Sequence, residues 1–371
     1  MLLNEVLQYH WALDEQASDV VTEHIKKQNA VGDVHAVIES LDARWVAARD
    51  VNRQMLATAF TGHSSLKVVI LGPCSEDYDV DYEPLYDYIE EVQEENPDAL
   101  VVLRINDAKP RTETGWTGLW YALEPRHRKR MFDVFREAFN RGIPIVTEVT
   151  EGVQLGGLVP YLSGFWLGAR DNTSTSLRGK FSAYHLANGV KNGNTGDFKI
   201  VESAVNTIRS NSDKNDGSGV YIDGIGLTDK SSGTSPVLVP IGSGNPNNAI
   251  FARGYELPKG LSPSEKRIRA FRHLSDANVL SEILDCAVLI DGTHSVPPMF
   301  DIDPKHSDRF IAVLQEIHTG IKTGEIARPR KIAGVMGEIG PVEGRTDPNY
   351  VLDDKRKEIL REMIKTTLAL I

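Results

Sequence analysis

Eight short runs of β-branched and apolar residues punctuate the chain between residues 67 and 336, and longer amphipathic segments separate most of them. The runs are KVVIL (67–71), ALVVLRI (99–105), PIVTEV (144–149), FWLGA (165–169), LANGV (186–190), AIFARG (249–254), CAVLID (286–291) and KIAGVM (331–336). Strands alternating with helices build βα units, because parallel neighbours need a helical crossover rather than a tight turn. Eight such units are what closes a (β/α)8, or TIM, barrel. An open doubly wound sheet would use many of the same units, but the count and the placement of polar residues favour closure. The expected fold class is α/β, a (β/α)8 TIM barrel.

Two additions to the barrel are expected. Residues 1–60 carry apolar residues at three- and four-residue spacing on either side of Gly32 and Asp33. That pattern predicts a helical N-terminal extension ahead of a catalytic barrel spanning 61–371. Between the fifth and sixth runs, GVYIDGIGL and SPVLVPIGSG flank the polar segment TDKSSGT. Alternating residues around such a turn predict a β-hairpin inserted between strands 5 and 6.

The charge balance, 41 Lys and Arg against 52 Asp and Glu, gives a net −11. That sign argues against a general partner of nucleic acid or of an anionic membrane. No apolar run approaches the ~20 residues of a membrane span. The opening MLLNEVLQYHWALDEQ lacks the basic-then-apolar pattern of a secretory leader. Cys74 and Cys286, the two cysteines, make no disulfide framework and suit a reducing cytoplasm.

Barrel active sites gather where the strands end and the βα loops converge. Reading just past each run gives Cys74, Arg104, Glu148, Arg170, Lys191, Arg253, His294 and Glu338. Cys74, His294 and Glu338 come from strands 1, 7 and 8, which neighbour one another in a closed barrel, and could hold a divalent transition metal. Arg104, Arg170, Lys191 and Arg253, helped by Lys109, form a cationic cluster suited to a phosphorylated and carboxylated anion. Each residue has a plain alternative: a lone buried cysteine is commonly a small core hydrophobe, and an arginine after a strand is commonly ion-paired at the surface. The functional reading comes from all eight strand ends carrying such groups together. Cys286, at the start of an apolar run, reads as core.

The motifs LGPCSED (71–77), RINDAKPRTETGW (104–116), LGAR (167–170), GVKNG (189–193), ARG (252–254), LIDGTH (289–294) and GVMGE (334–338) occur in that order. Together they resemble the class I, metal-dependent 3-deoxy-D-arabino-heptulosonate 7-phosphate (DAHP) synthases, as a divergent member. GPCS and KPRT are the specific elements, and the likeness runs from about residue 65 to 355. The resemblance implies a transferase that condenses phosphoenolpyruvate with erythrose 4-phosphate, the entry step of the shikimate pathway and of aromatic amino acid biosynthesis. It further implies a divalent metal (Mn, Fe, Co or Zn) and a homo-oligomer, dimer or tetramer.

Carried over by motif, Cys74, His294 and Glu338 would be metal ligands. Asp353 is the best match for a fourth ligand, with Asp354 and Asp347 as rivals. Arg104, Lys109, Arg170, Lys191 and Arg253 would hold phosphoenolpyruvate with Glu148 nearby, while Arg111 and Thr112 would hold the aldose phosphate. Lys109, Arg104 and His294 are the catalytic candidates. The loops DNTSTSLRGK after Arg170, NGNTGD after Lys191, SVPP after His294 and IGPV after Glu338 depart from the family's usual text. These departures leave open a paralogue in secondary metabolism that uses a different aldose phosphate, and a non-catalytic barrel that binds a phosphometabolite.

Overall fold

The computed structural model describes residues 43–108, 125–149, 161–169, 186–192, 220–223, 226–229, 247–252, 277–294, 309–324, 331–341 and 350–371, with a few isolated positions between them. The chain begins there with α1 (Ala43–Phe60) and continues through β1 (Lys67–Gly72), α2 (Glu83–Glu95), β2 (Ala99–Arg104), α3 (Pro125–Asn140), β3 (Ile145–Glu148), β4 (Gly164–Ala169) and β5 (Ala187–Asn192). After the short pair β6 (Val220–Asp223) and β7 (Gly226–Asp229) come β8 (Asn248–Ala252), β9 (Ala287–Asp291), α4 (Arg309–Thr323), β10 (Ile332–Gly340), β11 (Tyr350–Val351) and α5 (Asp354–Leu368).

Strands β1, β2, β3, β4, β5, β8, β9 and β10 lie side by side in that order, all parallel, and β10 pairs back onto β1. The sheet is closed, and the (β/α)8 expectation holds. Each of the eight sequence runs overlaps one of these strands. Closure buries both faces of every strand, which is why the runs are almost continuously apolar rather than alternating with polar residues.

The two faces still separate by parity. Val68 and Ile70 of β1, Leu100 and Val102 of β2, Val146, Trp166, Ala187, Ala249, Phe251, Ala287 and Leu289 form one buried cluster, the barrel interior. Their neighbours Val69, Leu71, Val101, Leu103, Ile145, Val190, Ile250 and Val288 pack outward with the helices, including Leu85, Ile89 and Val92 of α2. Leu56, Ala59 and Phe60 of α1 belong to the interior cluster, so this helix plugs one mouth. Arg53 donates to Leu162 O at 2.8 Å and Asn52 to Gly142 O at 3.2 Å, both just ahead of barrel strands. The plugged mouth is therefore the N-terminal one.

β10 contains an irregularity that decides which way its end points. Ile332 pairs with Val288 but Gly334 pairs with Leu289, so two steps on β10 match one on β9. This is a β-bulge, one extra residue that reverses the inward-outward alternation downstream. Ala333 and Met336 both face inward as a result, with Ile332 and Val335 outward. Only glycine fits at the bulge, since a Cβ on Gly334 would come 1.8 Å from Val68 O.

The interval between β5 and β8 holds an antiparallel pair, with Val220 opposite Asp229 and Asp223 opposite Gly226. Both strands come from residues 220–229, so this pairing lies within the first predicted run and its continuation. The second run, 235–244, lies outside the described residues, as do residues 1–42 of the expected helical extension. Among the described residues no helix is long and apolar enough to cross a membrane.

Candidate active site

At the C-terminal ends of the strands the inward rows turn from apolar to charged. Arg104 follows Leu100 and Val102, Glu148 follows Val146, Lys191 follows Ala187, Asp291 follows Ala287 and Leu289, and Glu338 follows Met336. Arg104, Asp291 and Glu338 are buried, at 1 %, 0 % and 4 % exposure, and Lys191 is only slightly more open. Charged groups are almost never this deeply buried without partners, and the partners are within the site.

Arg104 sits over the Trp166 ring, its guanidinium carbon 5.4 Å from the ring centroid, and its Nη2 pairs with Glu338 Oε1 at 2.8 Å. Nε and Nη1 of the same guanidinium are buried and make no hydrogen bond to the described protein. A guanidinium presents a rigid fork of donors matched to carboxylate and phosphate. Two buried donors with no partner among the described residues are suited to a carboxylate or phosphate.

Asp291 organises the other side. Its Oδ2 lies 2.7 Å from Lys191 Nζ and 2.9 Å from His294 Nδ1. Its Oδ1 lies 3.0 Å from the same ring nitrogen and accepts the backbone N–H groups of Thr293 and His294 at 3.1 Å each. An aspartate accepting from residues two and three positions on is a compact local turn, and it delivers His294 back over the barrel mouth. Burial pulls the His294 imidazole down to about 4, with the Lys191 charge adding to it and Asp291 and Glu338 opposing. Burial would raise the Asp291 carboxyl, but His294 and Lys191 outweigh it and hold it well below the usual carboxylate range. At neutral pH the imidazole is uncharged, and the ammonium of Lys191 and the donated N–H bonds keep Asp291 ionised.

His294 Nε2 faces Glu338 Oε1 at 3.9 Å. The β9 loop is tied to β10 directly, because Glu338 N donates to Thr293 Oγ1 at 2.8 Å. Cys74, on the loop after β1, is buried, and its carbonyl accepts from Asn106 Nδ2 at 2.9 Å. The Asn106 Oδ1 in turn accepts from Glu148 N at 3.1 Å and its backbone oxygen from Glu76 N at 2.9 Å, so one amide joins the ends of β1, β2 and β3. Glu76 is buried beside Asp107; burial and that neighbour's charge push its carboxyl well above the usual range, against the pull of Arg130.

The structure thus brings together Arg104, Lys191, His294 and Glu338, and places Glu148 and Cys74 on adjoining strand ends. Asp353 is elsewhere occupied: it is the N-cap of α5, its Oδ1 accepting from Arg356 N at 2.8 Å, with the side chain 55 % exposed. Lys109, Arg111, Thr112, Arg170, Arg253 and Asp347 lie outside the described residues. Cys286 is buried at the foot of β9, as a core residue. Asp291, Asn106 and Trp166 were not singled out from the sequence. Asp291 was legible in principle, as the last inward position of CAVLID.

A divalent metal would need donors close enough to share it. Two metal–ligand bonds of about 2.1 Å at a tetrahedral angle set their donors about 3.4 Å apart, so His294 Nε2 and Glu338 Oε1, 3.9 Å apart, would have to draw closer to share an ion. No group of three or more His, Cys, Asp or Glu side chains able to hold an ion occurs among the described residues. Imidazole and carboxylate are donors suited to such an ion, but Cys74, which is among the described residues, is not brought into a three-donor group with His294 and Glu338.

The profile of the DAHP synthetase I family matches residues 33–364. The Tyr-sensitive phospho-2-dehydro-3-deoxyheptonate aldolase of Escherichia coli K12 is 25 % identical over 304 residues, covering 79 % of this chain and 76 % of that one. The Trp-sensitive phospho-2-dehydro-3-deoxyheptonate aldolase of Enterobacter agglomerans is 26 % identical over 312 residues, 79 % of this chain and 77 % of its own. A solved phospho-2-dehydro-3-deoxyheptonate aldolase from Francisella tularensis superposes with a TM-score of 0.63 at 20 % identity, over 88 % of this chain and 94 % of that one, which is a likeness of fold. A match that starts within the N-terminal segment, ends inside α5 and takes in every barrel strand leaves one conclusion: the chain belongs to the DAHP synthetase I family.

Proposed function

We propose that this chain catalyses the DAHP synthase reaction, the condensation of phosphoenolpyruvate with erythrose 4-phosphate to DAHP and inorganic phosphate. The observation that carries the reading is the buried Arg104, with two N–H donors left for an anion, beside the facing His294 and Glu338. Phosphoenolpyruvate brings a carboxylate and a phosphate to one small carbon frame, and a water-excluded guanidinium recognises such groups strongly.

In this reading His294, Glu338 and Cys74 would hold a divalent ion, which supplies Lewis-acid polarisation of the aldehyde carbonyl. Arg104, with Arg170, Lys191 and Arg253 contributed by motif, fixes phosphoenolpyruvate, and Glu148 lines the same side. Arg111 and Thr112 hold the aldose phosphate. C3 of phosphoenolpyruvate attacks the aldehyde carbon while Lys109 delivers a proton to the aldehyde oxygen. Water then adds at C2, and phosphate leaves with its bridging oxygen by C–O cleavage. Holding both anions in one frame converts the encounter into a single reactive geometry. With Asp353 committed to a helix cap, Asp354 and Asp347 are the remaining candidates for a fourth metal ligand.

The departures in the loops after Arg170, His294 and Glu338 favour one second reading, a different aldose phosphate as acceptor. Phosphate release from phosphoenolpyruvate, measured after chelator treatment with and without added Mn²⁺ and with a panel of aldose phosphates, decides. Mn²⁺-restored turnover with erythrose 4-phosphate supports the first reading, and better turnover with another sugar phosphate the second. No turnover with any acceptor overturns both.

A further inference from the structure

Asp291 stands between the two chemistries of the site, touching Lys191 on the anion-binding side and His294 on the side of Glu338. An ionised carboxylate is acceptor-only, with about four lone-pair positions. All four are used here, by Lys191 Nζ, His294 Nδ1 and the backbone N–H groups of Thr293 and His294. Because both carboxylate oxygens face the ring nitrogen at 2.9 and 3.0 Å, that nitrogen has to carry the proton. The opposite tautomer would set a lone pair against a negative charge in a buried site. Nε2 is left with its lone pair turned toward Glu338 Oε1, two acceptors 3.9 Å apart that make no hydrogen bond with each other.

We infer that Asp291 is the positioning residue of this site: it fixes His294 as the Nδ1–H tautomer with Nε2 turned toward Glu338, and it anchors the Lys191 ammonium on the same carboxylate. One rigid group thereby sets the spacing between the cation-binding and anion-binding halves. Lys191 acts on an anion from a fixed position, with its charge already shared. An acceptor behind a ligating histidine that locks ring and tautomer is a general way to raise ligand strength.

The test is ¹⁵N NMR of histidine-labelled protein, with the His294 resonances assigned by their loss in His294→Gln. The wild type is expected to show a protonated Nδ1 and an unprotonated Nε2 at neutral pH. Asp291→Asn is nearly isosteric but keeps one acceptor and adds a donor toward Lys191 and Nδ1, so the Nδ1–H tautomer is expected to be lost. Lys191→Met should leave the tautomer unchanged. Mn²⁺ affinity measured directly by titration should fall about 10- to 100-fold in Asp291→Asn, the usual cost of removing such an outer group. The affinity arm rests on the metal-dependent function proposed above; the tautomer arm does not, and it stands or falls in protein without metal or substrate. A wild-type His294 protonated on Nε2 overturns the inference even if Asp291→Asn fails to fold. So does a tautomer that is the same in Asp291→Asn as in the wild type, or one lost in Lys191→Met.

Discussion

The two mouths of the barrel are framed by the same eight strands, yet they are built from opposite materials. At the N-terminal mouth Leu56, Ala59 and Phe60 close the interior, with the Phe60 ring edge-on to Phe251 at 5.8 Å between centroids. At the C-terminal mouth the same inward rows end in Arg104, Lys191, Asp291 and Glu338, held in ion pairs of 2.7–2.8 Å with one another, with Asp291 also facing His294 Nδ1 at 2.9 Å. Apolar burial supplies stability with no demand on direction, whereas each buried charge has to be matched by a partner in a fixed geometry. Stability and chemistry are thus segregated along the barrel axis, and substitutions at the two ends should separate them.

The largest expected effect is at the charged mouth. Arg104→Met removes the guanidinium paired with buried Glu338, a loss of about 3–5 kcal/mol, visible as a lower midpoint in urea unfolding. Phosphate release from phosphoenolpyruvate should fall about 100- to 1,000-fold or more, as when a preorganised donor is removed. The double variant Arg104→Met with Glu338→Met should regain most of the stability and none of the turnover. Full activity in Arg104→Met would end the comparison, because the charged mouth would then be structural as well.

Phe60→Ala probes the opposite end. Truncating a buried aromatic costs about 3–5 kcal/mol through lost burial and the cavity left behind, while kcat/KM below the melting range should stay within a few-fold of the wild type. A large fall in kcat/KM with unchanged affinity for phosphoenolpyruvate would mean that the plug sets the geometry of the site.

Gly334→Ala sits between the two regimes. The new Cβ would meet Val68 O of β1, a backbone atom at 1.8 Å, so the strands must part, costing about 1–3 kcal/mol. Because the bulge turns Glu338 inward, kcat should fall as well, by more than in Phe60→Ala. Loss of stability with intact kcat would show that the end of β10 is positioned by its contact with Thr293 alone.

The bulge also marks where the sequence stops being readable. The eight runs were legible because strands buried on both faces leave long apolar words, and their charged ends were legible because charge is rare in such places. Simple alternation along KIAGVMGE, taken from the outward Ile332, would point Glu338 outward; the extra residue at Gly334 is a backbone fact without a side-chain signature. Asp291 was overlooked because an aspartate before Gly-Thr-His reads as a turn residue, and it is one as well as a site residue. The antiparallel pair at 220–229 uses the first run and its continuation, and which further segment those residues join was not legible, because two runs of similar alternation carry no information about pairing.

Asp353 offers the smallest and cleanest test, since two roles for it predict different readouts. In LDDKRKEIL it precedes a run of good helix formers, the setting of an N-cap, and the structure has it accepting from Arg356 N at 2.8 Å. Asp353→Ala should cost about 1 kcal/mol, within the 0.5–2 kcal/mol range for losing such a cap, with Asp353→Asn or Asp353→Ser restoring most of it. Asparagine and serine lack the negative charge of a carboxylate and ligate a divalent ion more weakly, so Mn²⁺ affinity separates the roles. Unchanged Mn²⁺ affinity in all three variants makes Asp353 a helix cap and directs the search for a fourth ligand to Asp354 and Asp347. A fall in affinity that serine and asparagine fail to rescue would bring the charged mouth out as far as the start of α5.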